Sequence, residues 1–274
     1  LMKKQIMQER HTNREKYFNE QSITTKKYVI PFLSESKILD ENTSVLEIGC
    51  GEGGNLVPFV EAGCKRIVGV DLSGKKIENA IVFYDNLKIS SGVTFINDDI
   101  YNIDPEHLGQ FDVIIMRDVL EHIHGQEKFL NFAKKLLKPD GVFFISFPPW
   151  CNPFGGHQQM CKSKILSFLP YFHILPAFLY KFILKSFGED DDKITGLIEI
   201  KDTAISIERF QRIIKKENYK IVNRIFYFIN PNYEIKFNLK KRKVWKAIEL
   251  MPYVRNFFIT TNYYSISLNQ PTKD

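Results

Sequence analysis

Cysteine is scarce in this chain: Cys50, Cys64, Cys151 and Cys161 are the four among 274 residues, and no two form a C-x-x-C pair. That spacing excludes a disulfide scaffold, argues against a structural zinc site so that no metal is expected, and points to a reducing cytoplasm. Long apolar runs are missing too. The most apolar stretch, residues 165–187, is broken by Pro170, His173, Pro176, Lys181 and Lys185, which makes it a poor membrane span. The first residues, LMKKQIMQERHTNREK, lack the apolar segment of a secretory signal, so none is expected. Repeats and low-complexity tracts are absent. With 44% hydrophobic and 26% charged residues, disorder and a collagen-like repeat are excluded.

Charge of one sign is not spread evenly. Residues 203–274 hold 14 Lys+Arg against 5 Asp+Glu, leaving 24 against 27 in the rest of the chain. The densest basic group is Lys240, Lys241, Arg242, Lys243 and Lys246 around Trp245. Such a group reads either as a solvated helix face or as a surface that meets phosphates on nucleic acid or lipid headgroups.

What is present is aromatic bulk, 23 Phe and 12 Tyr, and a length that fits one α/β domain with an elaboration. Residues 12–37 read as helical with a break or kink at Pro31. From residue 44 strands and helices alternate: SVLEIG, NLVPFVEAG, RIVGVDLS, KKIENAIVFYDNLK, VTFIND, FDVIIM, QEKFLNFAKKLL and VFFISF. That alternation implies βαβ units and a doubly wound, mostly parallel sheet. After an irregular stretch the pattern returns as a helix in ISIERFQRIIKKENY and strands in YKIVNRIFYFI and FFITTNYYSISL, which could close the sheet as an antiparallel hairpin. The division expected is an N-terminal helical segment (1–39), a Rossmann-like core (40–148), a cap (149–202) and a completion of the sheet (203–270).

The segment VLEIGCGEGG places Gly49, Gly51, Gly53 and Gly54 between a strand and a helix, where backbone amides can approach a nucleotide. Asp71, at the end of the next strand, sits where a carboxylate accepts ribose hydroxyls. Gly49, Gly51 and Gly54 also satisfy the dinucleotide fingerprint G-x-G-x-x-G, so a nicotinamide-dependent oxidoreductase competes on these residues alone.

Glu47, Gly49, Gly51 and Gly53 together, however, resemble the E/D-x-G-x-G-x-G motif of class I S-adenosylmethionine-dependent methyltransferases. VGVDLS, FINDDI and FDVIIMRDVLEHI resemble the family's next motifs in order, the last being similar to the ubiquinone and menaquinone biosynthesis enzymes. The resemblance spans about residues 40–150. It implies a seven-stranded sheet with a reversed C-terminal hairpin and S-adenosyl-L-methionine as cofactor. It further implies cofactor contacts from Glu47, Gly49, Cys50, Gly51, Gly53, Asp71, Leu72, Asp99, Ile100 and Arg117, with Asp71 on the ribose and Leu72 and Ile100 on the adenine faces. Asp98 stands where the family more often has Gly, which leaves the choice between Asp98 and Asp99 open.

Methyl transfer to a hydroxyl needs a proton acceptor, and a histidine suits that task. His122, His124 and His157 are the candidates, with His122 and His157 carried forward as catalytic. PFGGHQQ, residues 153–159, reads either as a loop presenting His157, Gln158 and Gln159 to substrate or as a turn holding the insertion. FPPW at 147–150 is similar to a nucleobase methyltransferase motif but follows the wrong strand, so nucleic acid is disfavoured as a partner. Residues 165–187 read as a cap packed on the core or on a second subunit of a homodimer, or as a lid resting on a membrane surface. The acceptor is expected to be a small molecule or a lipid- or glycan-linked intermediate. A non-catalytic module that keeps the cofactor fold is the remaining reading.

Overall fold

The computed structural model describes residues 13–89 and 91–269; the basic stretch before residue 13, read above for a signal, lies outside them. Asn13 caps the first helix, α1 (Arg14–Thr24), by accepting from the Lys16 amide at 2.9 Å. A π-helical turn, Thr25–Val29, then leads into α2 (Ile30–Ser34). The break expected at Pro31 takes this form for a simple reason. Pro31 has no N–H to return to residue 27, and the amide of Ile30 reaches back five residues to the Thr25 carbonyl.

The sheet comprises β1 (Ser44–Ile48), β2 (Arg66–Asp71), β3 (Val93–Asn97), β4 (Phe111–Arg117), β5 (Leu137–Phe147), β6 (Tyr219–Ile229), β7 (Arg242–Lys243) and β8 (Thr261–Leu268). Its order is β3-β2-β1-β4-β5-β8-β6-β7. The first five strands are parallel, and β8 inserts antiparallel between β5 and β6. This is the expected sheet with its reversed hairpin. The eighth strand is a two-residue edge ribbon on β6 that the basic composition of 240–243 hid from sequence reading. Because β6 and β8 pair over eight positions, the connection between them can leave the sheet and return without disturbing the core.

One face is filled by Phe129, Leu130, Phe143, Phe147, Phe210 and Tyr264, the other by Phe32, Phe59, Tyr84, Phe144 and Tyr263. β1 and β4, buried along their whole lengths, run between the two. The segment between β5 and the helix Ile207–Lys216 has a small core of its own, made by Cys161, Leu166, Phe172, Tyr180, Leu184, Ile194 and Leu197. Its base is closed where the Trp150 amide donates to the Ile205 carbonyl at 2.8 Å. No helix among the described residues is long and apolar enough to cross a membrane.

Candidate active site

The chain turns from β1 leftward to β2 and β3 and from β4 rightward to β5, so a crevice opens where β1 and β4 end. It is a cavity of about 1560 Å³. Gly49, with φ of 75°, turns the chain away from β1; a Cβ there would lie 2.6 Å from Val119 Cγ2. The Gly49 and Cys50 amides both donate to the Val70 carbonyl, at 2.8 and 3.0 Å. Asp71 fastens the loop from the other side. One carboxylate oxygen accepts from the Gly51 amide at 2.8 Å and the other from Ser73 at 2.9 Å. The carboxylate expected to hold ribose therefore also shapes the glycine loop.

Seven of the ten expected cofactor residues line the cavity: Gly49, Gly51, Asp71, Leu72, Asp99, Ile100 and Arg117. Leu72 is 74% exposed, an apolar side chain standing at the cavity wall. Asp99 accepts from the Tyr101 amide at 3.0 Å, and Asp98 from Asn102 at 2.9 Å; both face the cavity, so the choice between them stays open. Cys50 and Gly53 lie beneath the loop instead. The Cys50 thiol is buried, and a Cβ on Gly53 would meet the Phe95 ring at 2.7 Å. Their contribution is to let the loop lie flat on β2 and β3.

Glu47 sits behind the loop, 1% exposed. Its Oε1 accepts from Asn55 at 2.6 Å, while Oε2 has no hydrogen-bond partner. Burial pushes its carboxyl up to about 8, against the lowering effects of Asn55 and of the Arg117 charge. Arg117 bonds to protein through two of its nitrogens: Nη1 to Thr25 at 2.8 Å and Asn55 at 2.6 Å, Nη2 to Asn232 at 2.8 Å. Its Nε has no hydrogen-bond partner, and the residue lines the cavity. It ties β4 to the π turn, to the segment after the glycine loop and to the helix Pro231–Phe237.

Sequence reasoning missed Glu52, Arg14 and Asp118. Glu52 lines the cavity, is 1% exposed and has Oε2 unpaired, while Arg14 grips Oε1 at 2.7 Å. Asp118 follows β4 with φ of 53°, a conformation Asp tolerates better than most residues. Its position directly after the fourth strand was the available signal. Nothing in the sequence marks Arg14, since its partner is 38 residues away.

The expected histidines meet in the same cavity. The rings of His122 and His157 are 5.1 Å apart and tilted by 52°, and His124 lines the cavity too. Burial pushes His157 down to about 4, helped by the neighbouring His122 and His173. Burial also lowers His122, with Asp118 opposing. Both are neutral at pH 7. Glu121, His122 and His157 each offer a ligand atom within 4.8 Å of the others. Cysteine spacing, which speaks against a metal, says nothing of this trio. Burial holds the Glu121 carboxyl well above the usual carboxylate range.

The PFGGHQQ loop divides between its two readings. His157 and Gln159 face the cavity. Gln158 is buried and donates to the Pro153 carbonyl at 2.8 Å and to His173 Nδ1 at 3.1 Å. His173 Nε2 lies 2.8 Å from the Trp150 carbonyl, which can only accept, so this ring carries its proton on Nε2. Gln158 therefore holds the insertion together.

A family model described as "Methyltransferase domain" matches residues 18–171. The chain belongs to this methyltransferase domain family. Among curated relatives, a ubiquinone biosynthesis O-methyltransferase of Actinobacillus pleuropneumoniae is 35% identical over 104 residues, 37% of this chain and 44% of that protein. An uncharacterized protein of Rickettsia prowazekii is 37% identical over 116 residues, 40% of this chain and 46% of that one. The chain thus spans less than half the length of these relatives. Among solved structures, magnesium protoporphyrin IX methyltransferase from Synechocystis, with bound SAH, superposes with a TM-score of 0.54 at 15% identity, covering 91% of this chain and 83% of that one. An S-adenosylmethionine-dependent methyltransferase from Clostridium acetobutylicum gives 0.56 at 14% identity, covering 90% and 92%. At these identities the likeness establishes the fold of the methyltransferase domain.

Proposed function

We propose that this methyltransferase domain transfers a methyl group from S-adenosyl-L-methionine to an oxygen atom of a small metabolite or of a glycan or lipid intermediate. The observation that carries the reading is one cavity whose lining joins two chemically different groups: the glycine loop with Asp71, Leu72 and Asp99, and the His122–His157 pair. The residues fit the cofactor on two counts. The buried Oε2 of Glu52, in the cavity lining, is an acceptor without a partner, and the glycine loop leaves no Cβ above β1.

When bound, S-adenosylmethionine supplies an electrophilic methyl group on a sulfonium. Asp71 would hold the ribose hydroxyls, Leu72 and Ile100 the faces of the adenine, and Asp99 its polar edge. Transfer to a hydroxyl is an in-line displacement in which the carbon–oxygen bond forms as the carbon–sulfur bond breaks, so positioning and exclusion of water are the protein's main tasks. The hydroxyl proton goes to neutral His122. The charge of Asp118 stabilises the resulting imidazolium, acting in the same direction in which it shifts His122.

Calorimetric titration with S-adenosylmethionine, its demethylated product and NAD in parallel tests the reading. Binding of the first two is expected; binding of NAD in their place overturns it in favour of an oxidoreductase. Transfer of radiolabelled methyl to hydroxylated acceptors, and not to the amine analogues, is the matching expectation for the acceptor atom.

A further inference from the structure

The cap and the C-terminal connection share a property that the proposed reaction does not use. Both expose large apolar side chains beside lysines and arginines. In the cap helix Ala177–Ser186, Tyr180 and Leu184 face inward, while Phe178 and Phe182 point outward, 75% and 66% exposed, with Lys181 and Lys185 exposed on the same helix. Ile165 and Phe168 are exposed in the preceding helix Lys164–Phe168. On the connection between β7 and β8, Trp245, Leu250 and Tyr253 are 79%, 67% and 66% exposed. An ordinary soluble surface scatters such side chains singly; here they recur within two short segments.

The two segments touch. The Tyr171 hydroxyl donates to the Phe257 carbonyl at 3.0 Å, with the rings 6.2 Å apart. Tyr171 and Tyr253 both have positive φ, 64° and 65°, an uncommon and costly backbone for a bulky residue. Each of these strained positions presents an exposed aromatic ring to the outside. Both segments also reach the cavity, whose lining includes Met160 and Phe168 of the cap and Thr260 at the end of the connection.

Charge decides what such a face would meet. Residues 162–187 hold four lysines and no Asp or Glu, and residues 238–258 hold four lysines and two arginines against the single Glu249. Lys164, Lys181, Lys240, Arg242 and Lys243 have no carboxylate partner among the described residues. A second copy of the chain would bring like charge against like charge. An anionic bilayer complements the lysines and arginines at headgroup level, and its interfacial zone takes Trp, Tyr and Phe.

We propose that this face docks the protein on an anionic lipid surface and sets the cavity mouth against it, so that an acceptor with an apolar tail enters from the bilayer. The acceptor part of this inference rests on the methyltransferase reading above; the docking does not. The test is co-sedimentation of the full chain with phosphatidylcholine vesicles, with and without phosphatidylglycerol. The variants are Phe178→Glu with Phe182→Glu in the cap, and Trp245→Glu with Lys243→Glu in the connection.

Retention on the anionic vesicles alone is expected, weakened by raised salt and reduced at least tenfold by either pair of substitutions. These positions are exposed, and unchanged calorimetric binding of S-adenosylmethionine shows that each variant is folded. No retention on anionic vesicles overturns the proposal, and if the cofactor still binds, the methyltransferase reading stands without it. Loss caused by only one pair refutes a shared face. A dimer in light scattering that the Phe178 and Phe182 substitutions dissolve, without vesicle retention, gives the face to a second copy.

Discussion

Replacing Glu47 by glutamine removes one ionisable proton and almost no volume, and the structure gives the consequence a sign and a size. Glu47 is buried beside the glycine loop, and its carboxyl is raised from an ordinary 4.5 to about 8. Between those values the folded chain holds a proton that the unfolded chain has released, so stability falls as pH rises through that window and levels off above pH 8. Each unit of displacement corresponds to about 1.4 kcal/mol, which puts the cost of the native carboxyl at roughly 3 kcal/mol at pH 7.

The glutamine of Glu47→Gln would keep an oxygen to accept from Asn55 and would not titrate. Urea unfolding of both proteins at pH 5, 6, 7 and 8 is the assay. The variant is expected to gain on the wild type by about 1.4 kcal/mol per pH unit across this range, whatever constant offset arises from how its amide is satisfied. A gap that stays constant with pH would mean that Glu47 is ionised in the native fold, held so by Arg117, and would refute the reasoning. The same substitution is expected to weaken S-adenosylmethionine binding, a trade of stability for function.

Asp71→Ala is expected to lower cofactor affinity by about two orders of magnitude, because it removes a charged acceptor of hydrogen bonds worth roughly 1.5–3 kcal/mol each. It also frees the Gly51 and Ser73 amides, so calorimetry should be paired with a melting curve; full affinity in a folded variant would sink the assignment. His157→Ala is expected to cut turnover about tenfold or more while leaving cofactor affinity within about twofold, since the ring shapes the space beside His122. Equal loss of both quantities would make it a structural residue.

The strand pattern was open to reading because a doubly wound sheet imposes it locally. β1, β2, β4 and β5 are apolar runs since helices cover both faces, and the glycines after β1 announce a turn that only they can make. The basic segment 240–246 was harder. Its residues form a short edge ribbon and the start of the four-residue helix Lys246–Glu249, neither of which has a hydrophobic period to detect. That Asp71, Leu72 and the Asp98–Asp99 pair would reach the cavity was legible because each stands at a fixed distance from a strand end. That the Cys50 side chain lies beneath the loop was not legible: adjacency along the chain says nothing about which side of the loop a side chain occupies.

The sequence by itself therefore determined the parallel core, its reversed hairpin, the glycine loop and the acidic residues that follow β2 and β3, since spacing along one chain governs all of them. Only the tertiary structure decided that Arg117 would join Thr25, Asn55 and Asn232, that Arg14 would grip Glu52, and that His122 would face His157. Arg14 and Glu52 are 38 positions apart along the chain, and Arg117 and Asn232 are 115 apart. Such meetings depend on how the helices settle on the sheet and on which buried polar groups must find partners there, and no local period carries that information.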